Sequence, residues 1–575
     1  MSNGLEILKN ESQLPEGRLI SASGDELAVP DKNRKDLLVW DVSKEGHKRV
    51  IIFSTKSAFG GLAFLQLEKE AQSKGYRVIK KSLIENGVLN SIYEKRAMND
   101  SQKANAGDSV VVNLFDMILT HALSENVSDI HFEVRENAAI IRMRKDGELM
   151  EYRSNNRLSF DEANNLCGVI YNVLAATKDV NFDPRTYQQA AVPYFIKDQE
   201  LRLRYQSMPV APKGYDVVLR ILPIGRSEDF TPLQHLGYSD QQVEELINIV
   251  SRPVGSLIIA GVTGSGKSTT LKNLLMFINA NTSYKLKIFT IEDPPEYNIA
   301  KVSQIPVVIG KDFDPSKSPF EAPIKACMRG DPDIIMIGEI RDVLSTDLMQ
   351  KAIQSGHQVL STIHTTSAIG IISRLESFKL QKNILGSPDF LTGLLYQKLL
   401  GNVCQVCAID FNALVNSEKA TKKDIELYQR IASVVDNPAK YPIKLRNEIK
   451  NKCPNCKGSG MKGRNVCAEV ILVDMTMLQI IERGNTVELI TYWRSLSDKK
   501  PDSYNMRGKT CMEHGFVKML NGIISPVELE QSFKPIDEML LKIEKNYQSL
   551  PSMNPHKTIS DVSDELNEKG WSNLD

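Results

Sequence analysis

The sequence predicts an α/β protein of three or four domains, one of which is a parallel sheet wrapped by helices. The chain has 575 residues, whereas single cores stop growing at roughly 250–300 residues, so several cores are expected. From Ser239 onward, strand-like apolar runs alternate with helical segments, which is the pattern of a parallel sheet covered on both faces. Within this stretch, the glycine-rich GVTGSGKS (261–268) stands between the apolar run SLIIA and the helical segment TTLKNLLMFINA.

Residues 1–105 are predicted to form a small α/β domain of their own. RVIIFST (49–55) is strand-like, GGLAFLQLEKEAQSKG (60–75) is helical with a glycine stop, and YRVIKKSL indicates another strand. The polar, aperiodic segment MNDSQKANAGDS (98–109) is interpreted as a linker.

A second domain is predicted at residues 110–230. The segment VVNLFDMILTHALSENV has apolar residues at helical spacing. SDIHFEV and AIIRMRKDGEL then alternate as strands, and LRLRYQSMP and YDVVLRIL form a second strand pair joined by VAPKG.

The charge balance gives no overall attraction to nucleic acid or anionic membrane, since Lys plus Arg and Asp plus Glu both number 71. No apolar run approaches the ~18 residues that span a bilayer, and MSNGLEILKNESQLPEG lacks the features of a signal peptide. Eight cysteines in a chain of this length do not form a disulfide scaffold. We therefore expect a cytoplasmic protein and no nucleic-acid partner.

The segment 261–268 matches the phosphate-loop pattern G-x-x-x-x-G-K-[ST] and has the required strand before it and helix after it. Its glycines let backbone N–H groups turn toward phosphate oxygens at the positive end of a helix. Lys267 would reach the β- and γ-phosphates, and the Ser268 hydroxyl would ligate Mg²⁺. The predicted ATP-binding residues of the loop are Gly261, Thr263, Gly264, Ser265, Gly266, Lys267, Ser268 and Thr269.

Two further apolar strands end in carboxylates. DIIMIGE ends in Glu339, a position that holds Mg²⁺ or its water shell in nucleotide-hydrolysing enzymes of this class. FTIEDPPEY brings Glu292, Asp293 and Glu296 to one strand end, where they repel each other unless a cation lies among them. We predict that Glu292 is the base that polarises the attacking water and that Asp293 and Glu296 lie at the nucleotide.

Two histidines flank the apolar strand VLSTI. His357 and His364 lie at its two ends, and the strand follows the nucleotide strands in sequence. We predict that they sense the γ-phosphate, with His364 in a catalytic role and His357 in nucleotide binding; the alternative is an ordinary hydrogen-bonding role.

CQVC (404–407) and CPNC (453–456) are two CxxC pairs separated by 45 residues. Such pairs let four thiolates converge on Zn²⁺, so Cys404, Cys407, Cys453 and Cys456 are the predicted ligands of a zinc subdomain at 403–470. The long spacing indicates that the helix TKKDIELYQRIASVV is an insertion. Helical sequence follows at 471–545, and then a polar, disordered tail at 546–575. The remaining cysteines are expected to be ordinary buried residues: Cys167, Cys327, Cys467 and Cys511.

In this order, four segments resemble the motifs of the secretion-traffic ATPase family, whose members drive type II secretion, type IV pilus extension and pilus retraction. They are GVTGSGKS, TIEDPPE, DPDIIMIGEIRD and SGHQVLSTIHTT. SDIHFEV with IRMRKDGEL, RYQSMP and GYDVVLR are similar to the family's second N-terminal domain, and MEHGFVKMLNGIISPVELEQ to its C-terminal segment. The resemblance covers about residues 110–535, and the first 105 residues carry none of these motifs.

The resemblance implies a RecA-like P-loop ATPase domain at 235–402, preceded by a PAS-like α+β domain and by a small N-terminal docking domain. It also implies a homo-hexameric ring that uses ATP and Mg²⁺ and acts on an inner-membrane platform protein and its pilus or secretion partners. The ring would lie in the cytoplasm, held at the inner membrane by those partners. Arg204 and Arg220 match arginines that reach the nucleotide from across a domain or subunit junction.

The departures from the family pattern mark a divergent branch. Gly214-Tyr215 replaces the usual GE, Gln206 replaces a serine, HTT replaces HTN, and YQQAA replaces a PQDG loop. The four-cysteine element is typical of assembly and secretion members and is generally lacking in retraction members. A retraction ATPase, a RecA-like DNA motor such as a helicase or conjugative coupling ATPase, and a nucleotide-gated scaffold remain the alternatives. RLRYQ is the nearest candidate for a nucleic-acid groove, and the presence of both Glu292 and Glu339 disfavours the scaffold.

Overall fold

The computed structural model describes residues 7–93, 109–223, 230–307, 318–448 and 453–539, apart from short gaps at 11–12, 16, 23–24, 31–32, 44–47, 153–156, 177–180 and 197–198. The chain divides into two compact units, Met1–Ile224 and Gly225–Asp575. Residues 98–108 of the predicted linker (98–109) and the polar tail at 546–575 lie outside the described residues, and Ser109 is the first residue of a helix.

The first sheet of the first unit confirms the strand–helix–strand pattern expected near the N-terminus. Its strand order is β1-β5-β4-β3-β2, with β4 and β5 parallel and α1 as the crossover between them. Phe64 and Leu67 of α1 are buried with Val50 and Ile52 of β4, so the apolar face of the helix covers the sheet. The elements are β1 (Ile7–Leu8), β2 (Arg18–Leu19), β3 (Leu37–Asp41), β4 (Arg49–Ser54), α1 (Leu62–Ser73) and β5 (Arg77–Ile84).

The second sheet of this unit is antiparallel throughout, in the order β8-β7-β6-β11-β10-β9. One face is apolar: Ile130, Phe132 and Val134 of β6 alternate with polar residues and are buried with Leu119 and Leu166 of the covering helices. The elements are α2 (Ser109–Ser124), β6 (Val127–Arg135), β7 (Ala139–Lys145), β8 (Glu148–Glu151), α3 (Phe160–Val169) with a π-helical turn (Ile170–Leu174), β9 (Gln188–Ile196), β10 (Gln199–Pro209) and β11 (Gly214–Pro223).

The second unit contains a seven-stranded sheet in the order β14-β13-β15-β16-β12-β17-β20, parallel except for β20 at its edge. Its first part comprises α4 (Leu233–Leu236), α5 (Asp240–Val250), β12 (Gly255–Ala260), α6 (Lys267–Asn281), β13 (Ile288–Glu292), β14 (Ser303–Pro306), α7 (Glu321–Cys327), β15 (Ile334–Ile337), α8 (Val343–Gln354), β16 (Gln358–Ile363), α9 (Gly370–Ser377), α10 (Lys382–Leu385) and β17 (Leu391–Val403).

Helices cover both faces of this sheet, as the continuous apolar run SLIIA predicts. Leu257 and Ile259 of β12 belong to one buried cluster, and Ile258 and Ala260 belong to another. The strands are therefore fixed in register from both sides, and their carboxyl ends form a defined edge.

The rest of the second unit is mostly helical, as the sequence predicts, and the inserted helix between the cysteine pairs is present as α12. The last part of the range assigned to the zinc subdomain is β20, which pairs with β17 in the main sheet. The elements are β18 (Ile409–Asp410), α11 (Phe411–Val415), α12 (Lys422–Ala432), β19 (Lys444–Leu445), β20 (Met461–Leu472), α13 (Met475–Arg483), α14 (Thr486–Ser495), α15 (Cys511–Leu520) and α16 (Pro526–Ser532).

The four cysteines outside the CxxC pairs are buried, in agreement with the sequence prediction. Across the residues that the structure describes, no helix combines the length and the apolarity that a membrane crossing requires.

Candidate functional site

The candidate site lies at the carboxyl edge of the seven-stranded sheet, where four neighbouring strands end. Ala260 of β12 pairs with Ile363 of β16, and Ile291 of β13 pairs with Ile337 of β15. The phosphate loop, Glu292, Glu339 and His364 follow directly after these strand ends. Ligands of open parallel sheets bind at this edge, so the predicted residues converge where a nucleotide is expected.

The phosphate loop has the backbone that its glycines predict. Gly261, Gly264 and Gly266 have φ values of 154°, 77° and 86°, which favour glycine. A Cβ on Gly261 would lie 2.4 Å from the Ser265 hydroxyl oxygen, so the turn has no room for a side chain there. Helix α6 begins at Lys267 directly after the turn, so its free N–H groups face the loop.

Several polar groups of the loop fit a phosphate. The Lys267 amine donates to the carbonyl oxygens of Gly261 (2.7 Å) and Val262 (3.1 Å). The buried Ser265 hydroxyl has no hydrogen-bond partner within the described part of the chain. Burial lowers the pKa of Lys267, while Glu339 and Glu296 oppose that shift. The Lys267 amine is therefore bonded only to carbonyl oxygens of its own loop, and the Ser265 hydroxyl has no partner within the described part of the chain. Phosphate oxygens would provide hydrogen-bond partners for both groups.

The middle of the loop is open to solvent, and the helix turn that follows it is bonded to a tyrosine. Thr263 and Gly264 are exposed, and Ser268 is partly exposed beside them. The Thr269 hydroxyl shares a 2.8 Å hydrogen bond with the Tyr297 hydroxyl, which ties the first turn of α6 to the segment after β13.

Glu339 lies in a charged cluster. The Arg341 Nε donates to Glu339 Oε2 (2.7 Å), and the other end of its guanidinium lies 3.5 Å from Asp293 Oδ2. The His364 Nε2 lies 3.2 Å from Glu339 Oε1. Burial and the neighbouring Lys267 lower the pKa of His364, while Glu339 opposes that shift. Glu339 and Asp293 therefore already have cationic or donor partners where Mg²⁺ is predicted to bind.

Glu292 is held at the end of β13 by two donors. The Thr290 hydroxyl (2.6 Å) and the Gln304 amide (3.0 Å) both donate to Glu292 Oε1. Burial raises the pKa of Glu292, and Glu296 adds to this effect, so Glu296 also lies close by. A partly buried carboxylate with a raised pKa is a stronger base than one in water, as a water-activating residue requires.

The four predicted zinc ligands form a single cluster at the ends of β17 and β20. Their sulfur atoms all lie within 4.8 Å of one another, with Cys404 and Cys453 at 3.8 Å and Cys407 and Cys456 at 3.6 Å. Tetrahedral zinc with bonds of about 2.3 Å requires sulfur–sulfur distances of ~3.8 Å. The backbone N–H of Gly460 donates to Cys456 at 3.2 Å, and such bonds favour thiolates. The donor set therefore fits zinc.

The family model described as "Type II/IV secretion system protein" matches residues 104–523. The chain belongs to this family.

It is 30% identical to the type II secretion system protein E of Pseudomonas aeruginosa over 423 residues, which cover 73% of this chain and 75% of that protein. It is 29% identical to the type II secretion system ATPase E of Vibrio cholerae, over 68% of this chain and 71% of that one. It is 28% identical to the type IV pilus assembly ATPase PilB of Thermus thermophilus, over 73% of this chain and 43% of that one. The chain is thus an ATPase of the type II secretion and pilus assembly class.

In this secretion ATPase, one predicted nucleotide ligand lies away from the phosphate loop. His357 precedes β16, whose first residue, Gln358, pairs with Gly255 at the amino end of β12. Strands rise about 3.3 Å per residue, so His357 and His364 lie roughly 20 Å apart at opposite ends of β16. The His357 Nδ1 instead forms a 2.9 Å hydrogen bond with the Ala352 carbonyl oxygen of α8. The structure does not bring His357 to the site.

The two predicted arginines belong to the first unit of the secretion ATPase. Arg204 of β10 pairs directly with Arg220 of β11, so both side chains lie on the same face of the antiparallel sheet. Arg220 Nε donates to Oδ1 of the buried Asp129 (2.9 Å), and Arg204 is exposed. A role at the nucleotide stays a prediction for both.

Two residues of the site were not singled out from the sequence. Arg341 stands two positions after Glu339 within GEIRD, so the family motif itself contained the signal for it. Gln304 of β14 donates to Glu292 and to the Tyr297 carbonyl, and it accepts from the Ile299 N–H. The sequence contains no signal for Gln304, because its role depends on the pairing of β13 with β14.

Proposed function

We propose that this ATPase works as a homo-hexameric motor that hydrolyses ATP to power type IV pilus assembly or type II protein secretion. The observation that carries the proposal is the convergence of Lys267, Glu292, Glu339 and His364 on one edge of a parallel sheet. We place the motor in the cytoplasm, held at the inner membrane by a platform protein and its associated assembly proteins. The names of the relatives support this assignment.

Binding of ATP is proposed to rest on the phosphate loop. The N–H groups at the start of α6 and the Lys267 amine would take the phosphate oxygens, and the amine would leave its two loop carbonyls to do so. Ser268 and Glu339 would hold Mg²⁺, which neutralises phosphate charge and orients the phosphoryl group when bound. Asp293 and Glu296 would contribute to this acidic side of the site.

Hydrolysis is proposed to use the carboxylate at the end of β13. Glu292 would orient a water molecule and accept its proton, since burial raises the pKa of this carboxyl. His364 would keep Glu339 in place through its Nε2–H, and Arg341 would hold the other carboxylate oxygen until the metal arrives. Arg204 or Arg220 would neutralise charge that develops on the γ-phosphate.

The finer architecture is part of the same proposal. It comprises an N-terminal docking domain (1–105), a PAS-like domain (110–230), a RecA-like ATPase domain (235–402), a zinc subdomain in the part of 403–470 that precedes β20 of the main sheet, and a helical C-terminal region (471–545). Four thiolates fill the coordination sphere of Zn²⁺, so the metal would be structural. The cysteine cluster supports an assembly or secretion motor rather than a retraction motor.

The biochemical test compares hydrolysis by wild type, Glu339→Gln and Glu418→Gln. Glu418 is an exposed glutamate outside the site, so its variant is the matched control. We expect Glu339→Gln to lower the rate at least about a hundredfold, the range for a group that organises transition-state charge, and Glu418→Gln to leave it unchanged. Equal rates in all three proteins would refute the assignment of Glu339.

The cellular test counts surface pili by electron microscopy in cells that carry only the Lys267→Ala protein, with its level checked by immunoblot. Loss of pili with protein present indicates a pilus assembly motor. A normal number of pili would show that pilus assembly does not need this ATPase, and would favour a role in protein secretion. More numerous pili would contradict the proposal, because that result identifies a retraction motor.

A further inference from the structure

A fully buried glutamine lies beneath the phosphate loop. Gln397 is in β17, which pairs in parallel with β12 so that Tyr396 stands opposite Ala260. Gln397 therefore comes next to Gly261, where the loop begins, and its side chain is 0% exposed. A buried amide is costly unless its donors and acceptors are paired, so its partners are informative.

The amide contacts both the loop and the helix that follows it. Gln397 Nε2 donates to the Ser265 carbonyl oxygen at 2.6 Å. Gln397 Oε1 accepts from the Tyr238 hydroxyl (2.6 Å) and from the Thr270 hydroxyl (3.0 Å). Tyr238 and Thr270 are buried as well, so these bonds are shielded from water.

The bond to Ser265 fixes the direction of a peptide group within the loop. A trans peptide is planar, and its C=O and N–H point in opposite directions. Because the Ser265 carbonyl points toward Gln397, the N–H of Gly266 points away from β17, toward the side where phosphate is expected. The Gln397 amide lies close to the loop backbone, since a Cβ on Gly266 would be only 3.2 Å from Gln397 Nε2.

We propose that Gln397 is a positioning residue for nucleotide binding, which holds the Ser265–Gly266 peptide in its phosphate-binding orientation. Its oxygen anchors the first turn of α6 through Thr270, so one side chain fixes both the loop and the helix that presents Lys267. The amide donates to the carbonyl and accepts from the two hydroxyls at the same time, which a methionine side chain at this position cannot do. This inference rests on the proposed binding of ATP by the loop.

The test compares Gln397→Met with Gln358→Met. Gln358 is a matched control, because it is also a buried strand glutamine whose amide donates to backbone carbonyls, those of Ile249 (3.4 Å) and Val250 (3.2 Å). It lies at the amino end of β16, away from the loop. Binding of a fluorescent ATP analogue, steady-state hydrolysis and thermal unfolding are measured for each protein.

We expect Gln397→Met to raise the Kd for nucleotide and the KM about tenfold, with kcat at saturation changed by less than about threefold. Gln358→Met is expected to lower the unfolding temperature to a similar degree and to leave Kd within about twofold of wild type.

Unchanged nucleotide affinity in Gln397→Met, or an equal loss in Gln358→Met, would overturn the inference. If Gln397→Met does not fold, Gln397→Asn replaces it, since an amide one methylene shorter cannot reach the loop carbonyl. Failure of the wild-type protein to bind nucleotide would instead refute the proposed function, so the two failures are distinguishable.

Discussion

At the carboxyl edge of the seven-stranded sheet, charged side chains pair with one another: Arg341 contacts Glu339 and Asp293, and Lys267 contacts carbonyl oxygens of its own loop. In the cysteine cluster, by contrast, four groups of one kind converge within 4.8 Å. The first region has partners that can be exchanged when substrate enters and leaves. The second has the sulfur spacing that tetrahedral zinc requires. We therefore expect the first region to act in ATP hydrolysis and the second to stabilise the fold.

The largest expected effect is at the cysteine cluster. Structural zinc contributes on the order of 10 kcal/mol of binding free energy at such sites, and this energy stabilises the fold. We expect a strong chelator, or Cys453→Ser, to make the segment between Cys404 and Met461 sensitive to limited proteolysis. Cys167→Ser, at a buried cysteine outside the cluster, is the control. If this segment stays equally resistant to proteolysis after zinc has been shown to be removed, the cysteine cluster does not stabilise the fold, and the contrast between the two regions is wrong.

The next largest effect is expected for the pair that holds Glu339. His364→Ala removes the imidazole that contacts Glu339 Oε1, and we expect turnover to fall by between about ten- and a hundredfold, or roughly 1.4–3 kcal/mol. Unfolding temperature should change little, because the side chain is 43% exposed. The measurement is steady-state hydrolysis beside a thermal melt. A large loss of stability with normal turnover would show that His364 belongs to the fold rather than to the chemistry.

A smaller effect concerns stability against pH. Burial and the neighbouring Lys518 lower the pKa of His514 well below 6.5, and its Nδ1 accepts the Ala468 N–H. Below pH 6.5 the unfolded chain binds a proton at this histidine and the folded chain does not, so stability is lost as pH falls. Relative to His514→Asn, wild type should lose more stability between pH 7 and pH 5 in urea titrations, by up to about 2 kcal/mol. A constant difference between the two proteins would contradict a neutral, buried His514.

The smallest effect is expected at the other end of β16. His357→Ala removes a hydrogen bond to the Ala352 carbonyl, at the end of β16 that lies roughly 20 Å from His364. We expect hydrolysis within about twofold of wild type and a slightly lower unfolding temperature. A loss of activity as large as that of His364→Ala would show that the amino edge of the sheet also takes part in turnover.

The sequence could predict the phosphate loop, Glu292 and Glu339 because each lies within a short motif, and parallel pairing brings strand ends together. His357 shows the limit of this reasoning, since a histidine at each end of a strand places only one of them at the carboxyl edge. The role of Gln397 and the pairing of β20 with β17 could not be predicted from the sequence, because they depend on contacts between segments far apart in the chain. The position of Arg204 and Arg220 relative to the nucleotide stays a prediction for the same reason.

The pairing of β17 with β20 also explains how this chain can have 45 residues between its cysteine pairs. Val403 and Met461 are paired strand residues, so the two ends of the intervening segment are already held together by the sheet. The entropy lost on closing a flexible loop grows only with the logarithm of its length, about 0.6 kcal/mol for each doubling. With both ends fixed, segments of very different length, including one that contains α12, can connect the two knuckles at little thermodynamic cost. The segment is nevertheless not a free loop, because Leu427 and Ile431 of α12 are buried in the same cluster as Ile258 of β12.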